Sequence, residues 1–161
     1  MTTVAIILNR APVNERLVEM AGQFAASRCD DLLLVGVPDM APWIQFFAPA
    51  APGRFCVSTA FGELQEEVEC ELRRCIARVP VSVAATYASF RGWTDPKLTQ
   101  LLRLADSPTV FAALAGPVSR DRRKLEAIVR KLEGGALVIT PSLPVDRQRE
   151  SSQNVVGSSS W

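Results

Sequence analysis

The sequence predicts an α/β fold, a parallel sheet covered by helices on both faces. Five short apolar runs alternate with four stretches of helical periodicity: Val4–Leu8, Leu32–Val37, Val81–Tyr87, Thr109–Leu114 and Ala136–Thr140. That alternation is the mark of βαβ units. The runs are rich in β-branched and aliphatic residues with few polar interruptions, as strands buried on both faces must be. In such a sheet a ligand sits beyond the carboxyl ends of the strands, where the strand order reverses.

The elements follow in order. Val4–Leu8 ends at Asn9-Arg10-Ala11-Pro12, and Pro12 suits the first turn of a helix. Val13, Leu17, Met20, Ala21 and Phe24 then recur at spacings of three and four, which predicts one buried helix face. The pair Asp30-Asp31 precedes the second strand and reads as a solvated turn. From Pro38 to Val57 the composition shifts: four prolines (Pro38, Pro42, Pro49, Pro52) forbid a long helix or a central strand. This stretch reads as the longest loop, and its aromatics Trp43, Phe46 and Phe47 are the candidate surface for a protein partner, against the plainer reading of half-burial on the sheet.

Phe61, Leu64, Val68, Leu72, Cys75, Ile76 and Val79 form the apolar stripe of the second helix, with Glu63, Glu66, Glu67, Glu69, Arg73 and Arg74 on its wet side. Thr94-Asp95-Pro96 after the third strand is a helix start, with a cap and an early proline, and Leu98, Leu101, Leu102 and Ala105 point inward from that helix. Gly116-Pro117 breaks the fourth strand. Ser119 can cap the last helix, whose inward residues are Leu125, Ile128, Val129 and Leu132 and whose stop is Gly134-Gly135. The organisation predicted is one α/β domain over residues 1–141 and a polar, disordered tail over 142–161.

Composition excludes several functions. The chain has 161 residues, 48% of them hydrophobic, and a net charge of +1, so neither nucleic-acid nor membrane-surface attraction is implied. No apolar stretch reaches the roughly 18 residues that span a bilayer. The N-terminus runs into a strand without a basic segment, so no secretory leader is expected and the cytoplasm is the default. There is no histidine, which removes the commonest general base and metal ligand and rules out a Ser-His-Asp or Cys-His mechanism within the chain. Cys29, Cys56, Cys70 and Cys75 contain no C-x-x-C pair and are read as small buried hydrophobes in a reducing compartment. No catalytic residue and no metal site is assigned.

With these elements in place, residues 1–141 resemble a universal stress protein domain. The likeness lies in a first strand leading directly into an amphipathic helix, a long second loop, a second helix that is acidic outside, Asp95-Pro96 at the third helix start, and a final apolar strand. The resemblance implies a three-layer α/β/α sandwich with a Rossmann-like sheet of order 3-2-1-4-5, and a homodimer formed through the fifth strand. Nucleotide-binding members carry an acidic residue at the end of strand one, where this chain has Asn9, and G-x2-G-x9-G-[ST] after strand four. Aligned on Gly116, the later positions hold Ser119, Val129 and Arg130. Side chains there block the close approach of backbone N–H groups to phosphates.

Arg120, Arg122, Arg123 and Lys124 crowd the start of the last helix, where the partial positive charge makes cations unfavourable. An anion beside Gly116–Arg122 would offset that, while a solvated basic face softened by Asp121 and Glu126 is the plainer reading. The candidate ligand-contacting residues are therefore Asn9, Arg10, Gly116, Ser119, Arg120 and Arg122. Arg91 and Trp93 are a further candidate pair for stacking on a planar ligand, against a tryptophan that simply covers the sheet end. The function expected is a non-enzymatic, universal-stress-like regulatory or interaction protein without a cofactor. The alternative is an ATP- or AMP-binding stress protein with weak or no hydrolysis, using a degenerate loop.

Overall fold

The computed structural model describes residues 1–8, 13–38, 54–106, 108–114, 120–132 and 134–141. The elements are β1 (Thr2–Ile7), α1 (Val13–Arg28), β2 (Asp31–Gly36), α2 (Arg54–Ile76), β3 (Ala85–Ser89), α3 (Pro96–Leu104), β4 (Thr109–Leu114), α4 (Arg120–Val129) and β5 (Ala136–Pro141). The five strands form one sheet in the order β3-β2-β1-β4-β5, and every neighbouring pair is parallel. Register is set by β1, with Val4 opposite Leu33 on one side and Val110 on the other. The α/β class and the helix-covered parallel sheet expected from the sequence, and the strand order that the resemblance implies, are all present.

Strand alternation divides the core in two. Val4, Ile6, Val35, Val110 and Ala112 face Leu98 and Leu102 of α3 and Leu125 and Val129 of α4. Ala5, Ile7, Leu32, Leu34 and Phe111 face Leu17, Val18, Ala21 and Ala25 of α1 and Val68, Leu72 and Cys75 of α2. Phe24 adds an edge-on contact to Phe111, with ring centroids 5.3 Å apart. Being central, β1 buries Val4–Ile7 on both faces.

Several boundaries differ from the sequence reading, each for a local reason. The third strand starts at Ala85 rather than Val81, because Val83 N donates to Pro80 O at 3.0 Å and closes a turn, leaving Val81 in solvent. Helix α2 starts at Arg54, inside the stretch read as loop. Gly36, at the end of β2, has the side chains of Val68 and Leu72 against it. The residues of α2 before Val68 lead towards the carboxyl end of the sheet, and Leu64 among them is buried. Met20 faces solvent, and Val18 and Ala25 complete the buried face of α1 instead.

Asp30 is not a solvated turn residue. It is buried, accepts from Thr3 Oγ1 at 3.3 Å and pairs with Arg28 at 3.4 Å. Nor do the cysteines form one buried class: Cys75 is buried, while Cys29 and Cys70 are exposed. Cys29 occupies a left-handed position (φ 56) where α1 ends, with Asp30 N bonded back to Ala25 O.

Candidate functional site

The strand order places the reversal point at β1 and β4. From β1 the chain crosses to β2 by way of α1, and from β3 it returns across β1 to β4 by way of α3. In doubly wound sheets such a reversal point is where a ligand crevice forms, and here it falls beyond the ends of β1 at Ile7 and β4 at Leu114. Asn9, Arg10, Gly116 and Ser119 all lie outside the described residues, as do Trp43, Phe46 and Phe47. Arg120 and Arg122 stand in the first turn of α4.

The position of α4 bears on the phosphate-loop alignment. The helix begins four residues after Gly116, so Val129 falls at its far end rather than in the connection before it. Val129 is buried in the core beside Leu125 and Leu132, and Arg130 N bonds to Glu126 O as the helix finishes. These two positions are separated from the start of α4 by the helix itself, about 15 Å long.

Trp93 and Arg91 are not brought together as a stacking pair: Arg91 is exposed, whereas Trp93 is 9% exposed and belongs to the core cluster with Val37, Phe90 and Leu98. The turn that carries them is fixed by Asp95. Its carboxylate accepts from Lys97 N at 3.0 Å and from Arg91 N at 3.3 Å, and its backbone N–H donates to Gly92 O. Asp95 is the N-cap of α3 and Pro96 its first residue, as the sequence predicts. The Trp93 indole Nε1 is fully buried and has no hydrogen-bond partner among the described residues.

Sequence reasoning missed the polar group between α1 and α2. Glu71 is buried and accepts from Asn14 Nδ2 at 2.9 Å and from Arg74 Nη2 at 2.8 Å. Arg74 also reaches Glu15 at 3.2 Å. The Glu71 hydrogen bond, with the carboxylates around it, raises the pKa of Arg74 above its already high ordinary value. Burial, reinforced by Glu71, pushes the Cys75 thiol up to about 11, so it stays protonated and inert near neutrality. The signal was present: Glu71 lies three residues after Val68 and four before Cys75, on the inward face of α2. At the outer border, Ser89 Oγ donates to Glu69 Oε1 at 3.0 Å, tying α2 to the edge strand β3.

Among the described residues no group of three or more Asp, Glu or Cys side chains could hold a metal ion. No described helix is long and apolar enough to cross a membrane. No family model and no curated protein matches the chain. Among solved structures it is similar to a universal stress protein in complex with cAMP, at 15% identity and a TM-score of 0.42, covering 87% of this chain and 97% of that one.

Proposed function

We propose that this chain is a non-enzymatic binding or regulatory protein of universal-stress type, acting as a cytoplasmic homodimer without the family's usual ATP site. The observation that carries the reading is the early start of α4, which leaves Val129 in the core and gives a G-x9-G-[ST] loop no place between β4 and the helix. The dimer reading is supported by β5. This edge strand, Ala136–Pro141, carries no charge, and its half-buried Leu137, Val138 and Ile139 continue the packing of both faces. An uncharged edge is a template for pairing with a second strand, here that of another copy.

Sedimentation and thermal melting test this. A dimer is expected, together with no stabilisation by ATP or inorganic phosphate. Val138→Glu is expected to give a folded monomer, checked by circular dichroism. A wild-type monomer would overturn the dimer. The second reading, an ATP- or AMP-binding protein using a degenerate loop, is favoured by the cations at the start of α4. A nucleotide at one hundred times its Kd stabilises by about 2.7 kcal/mol, and that rise with ATP would establish it.

A further inference from the structure

The second border of the sheet, β3, is an open edge. Its ladder to β2 begins with Leu32 N donating to Ala84 O and ends with Phe90 N donating to Gly36 O, both at 2.9 Å. With Leu32 opposite Ala85 and Gly36 opposite Ser89, Thr86 and Ala88 turn their N–H and C=O groups to β2. Ala85, Tyr87 and Ser89 therefore point theirs outward, where no described residue pairs with them. Open edges are commonly blunted by charged side chains, proline or a bulge, and β3 has none of these.

The two faces beside this edge differ. On the α2 face stand Tyr87, 43% exposed, and Arg73, also exposed, whose guanidinium donates to the tyrosine hydroxyl. Glu69 on the same helix is occupied by Ser89. On the other face Thr86 and Ala88 are small, and Leu33, opposite Thr86 on β2, is only half-buried. A second copy of the chain does not suit this edge. Antiparallel pairing about Tyr87 is the register that uses all three outward residues, and it sets the Arg73 side chains of the two copies beside each other at the axis.

We propose that β3 is a docking edge for an extended segment of another protein, which adds as a further strand and carries the side-chain pattern apolar, acidic, apolar. The backbone of the segment pairs with Ala85, Tyr87 and Ser89. Its residue opposite Tyr87 shares the α2 face, so a carboxylate there meets Arg73. The residues before and after it fall on the other face, against Thr86 and Ala88, and cover Leu33. The inference goes beyond the proposed function and is independent of the dimer at β5, the opposite border of the sheet.

The test uses the full chain and a capped probe peptide, Lys-Thr-Val-Glu-Val-Thr-Lys, read by amide hydrogen exchange in nitrogen-15 NMR. In the free protein the amides of Thr86 and Ala88 are expected to be protected, and those of Ala85, Tyr87 and Ser89 to exchange as in an unfolded chain. Millimolar peptide should slow these three by about tenfold or more. Arg73→Glu should bind the peptide about fivefold more weakly and should prefer the same peptide with Lys in place of its Glu. Ala85→Pro removes one outward N–H at the first position of the strand, where proline is tolerated, and should weaken binding by about fivefold with the ladder to β2 intact. If Ala85→Pro fails to fold, the charge exchange at Arg73 decides. Slow exchange of Ala85, Tyr87 and Ser89 in the free protein would mean that the edge is already covered and would overturn the proposal. So would exchange that the peptide leaves unchanged, or binding equal in wild type and Arg73→Glu. A monomer in sedimentation would leave this proposal standing while removing the dimer.

Discussion

Asn14 Nδ2 donates to Glu71 Oε1 across 2.9 Å, and with each residue only 2% exposed this bond ties the first turn of α1 to α2. Arg74 completes the clasp from a half-exposed position. A buried carboxylate is tolerated only when its oxygens are satisfied, and the bond therefore holds the two helices at one relative height along the sheet.

Replacing Asn14 by Ala is expected to destabilise the fold by about 1–3 kcal/mol, because the Glu71 carboxylate loses its buried donor. Glu71→Ala should cost a similar amount and not much more, since Arg74 can turn to water. A double-mutant cycle in chemical denaturation should show the two losses to be strongly non-additive. Additive losses would mean the pair is not coupled.

Gly36 and Gly62 should respond in opposite directions to alanine. A Cβ at Gly36 would lie 2.5 Å from Val68 Cγ1 and 2.7 Å from Leu72 Cδ1, so Gly36→Ala should cost about 1–3 kcal/mol by pushing α2 off β2. A Cβ at Gly62 meets nothing within 4 Å in the middle of α2, so Gly62→Ala should stabilise by about 0.5–1 kcal/mol. Urea midpoints of the two variants check both signs.

Cys29 holds a backbone position (φ 56) that favours glycine. Cys29→Gly is expected to raise stability by up to about 1 kcal/mol, after the greater freedom glycine gives the unfolded chain. A lower thermal midpoint would show that the Cys29 side chain contributes more than its strained backbone costs.

The thiol of Cys75 predicts an alkaline weakness. Its value is about 11 in the folded chain against an ordinary 9.0, so the unfolded state releases its proton first as pH rises. Stability from this group is complete below about pH 9 and is lost between pH 9 and pH 11, by roughly 2–3 kcal/mol. Cys75→Ala leaves a small cavity and starts less stable at pH 8, yet its denaturation midpoint should fall less over that window than that of the wild type.

At the start of α4, Arg122→Ala combined with Arg123→Ala should leave stability unchanged or raise it by up to about 1 kcal/mol, because two cations leave the positive end of the helix. A clear loss in chemical denaturation would mean that these arginines hold a structural partner.

The periodicity of the chain determined the class of fold. Alternating apolar runs and helical stripes are local properties, and a strand such as Val4–Ile7 or a cap such as Asp95-Pro96 is written in neighbouring residues. Where strands lie in the sheet is not local. The order β3-β2-β1-β4-β5 depends on pairings between residues such as Ala5 and Phe111 that are far apart in sequence, and before the tertiary structure it stood only on a family resemblance. The start of β3 was misread because an edge strand needs no continuous apolar run, so the valines before it looked as strand-like as the strand itself. Much of the candidate site was inferred from loop residues, Asn9 and Gly116 among them, which no periodicity constrains. Tertiary packing alone decided that Asp30 and the Trp93 indole are buried, because burial of a polar group is set by what a distant segment lays over it.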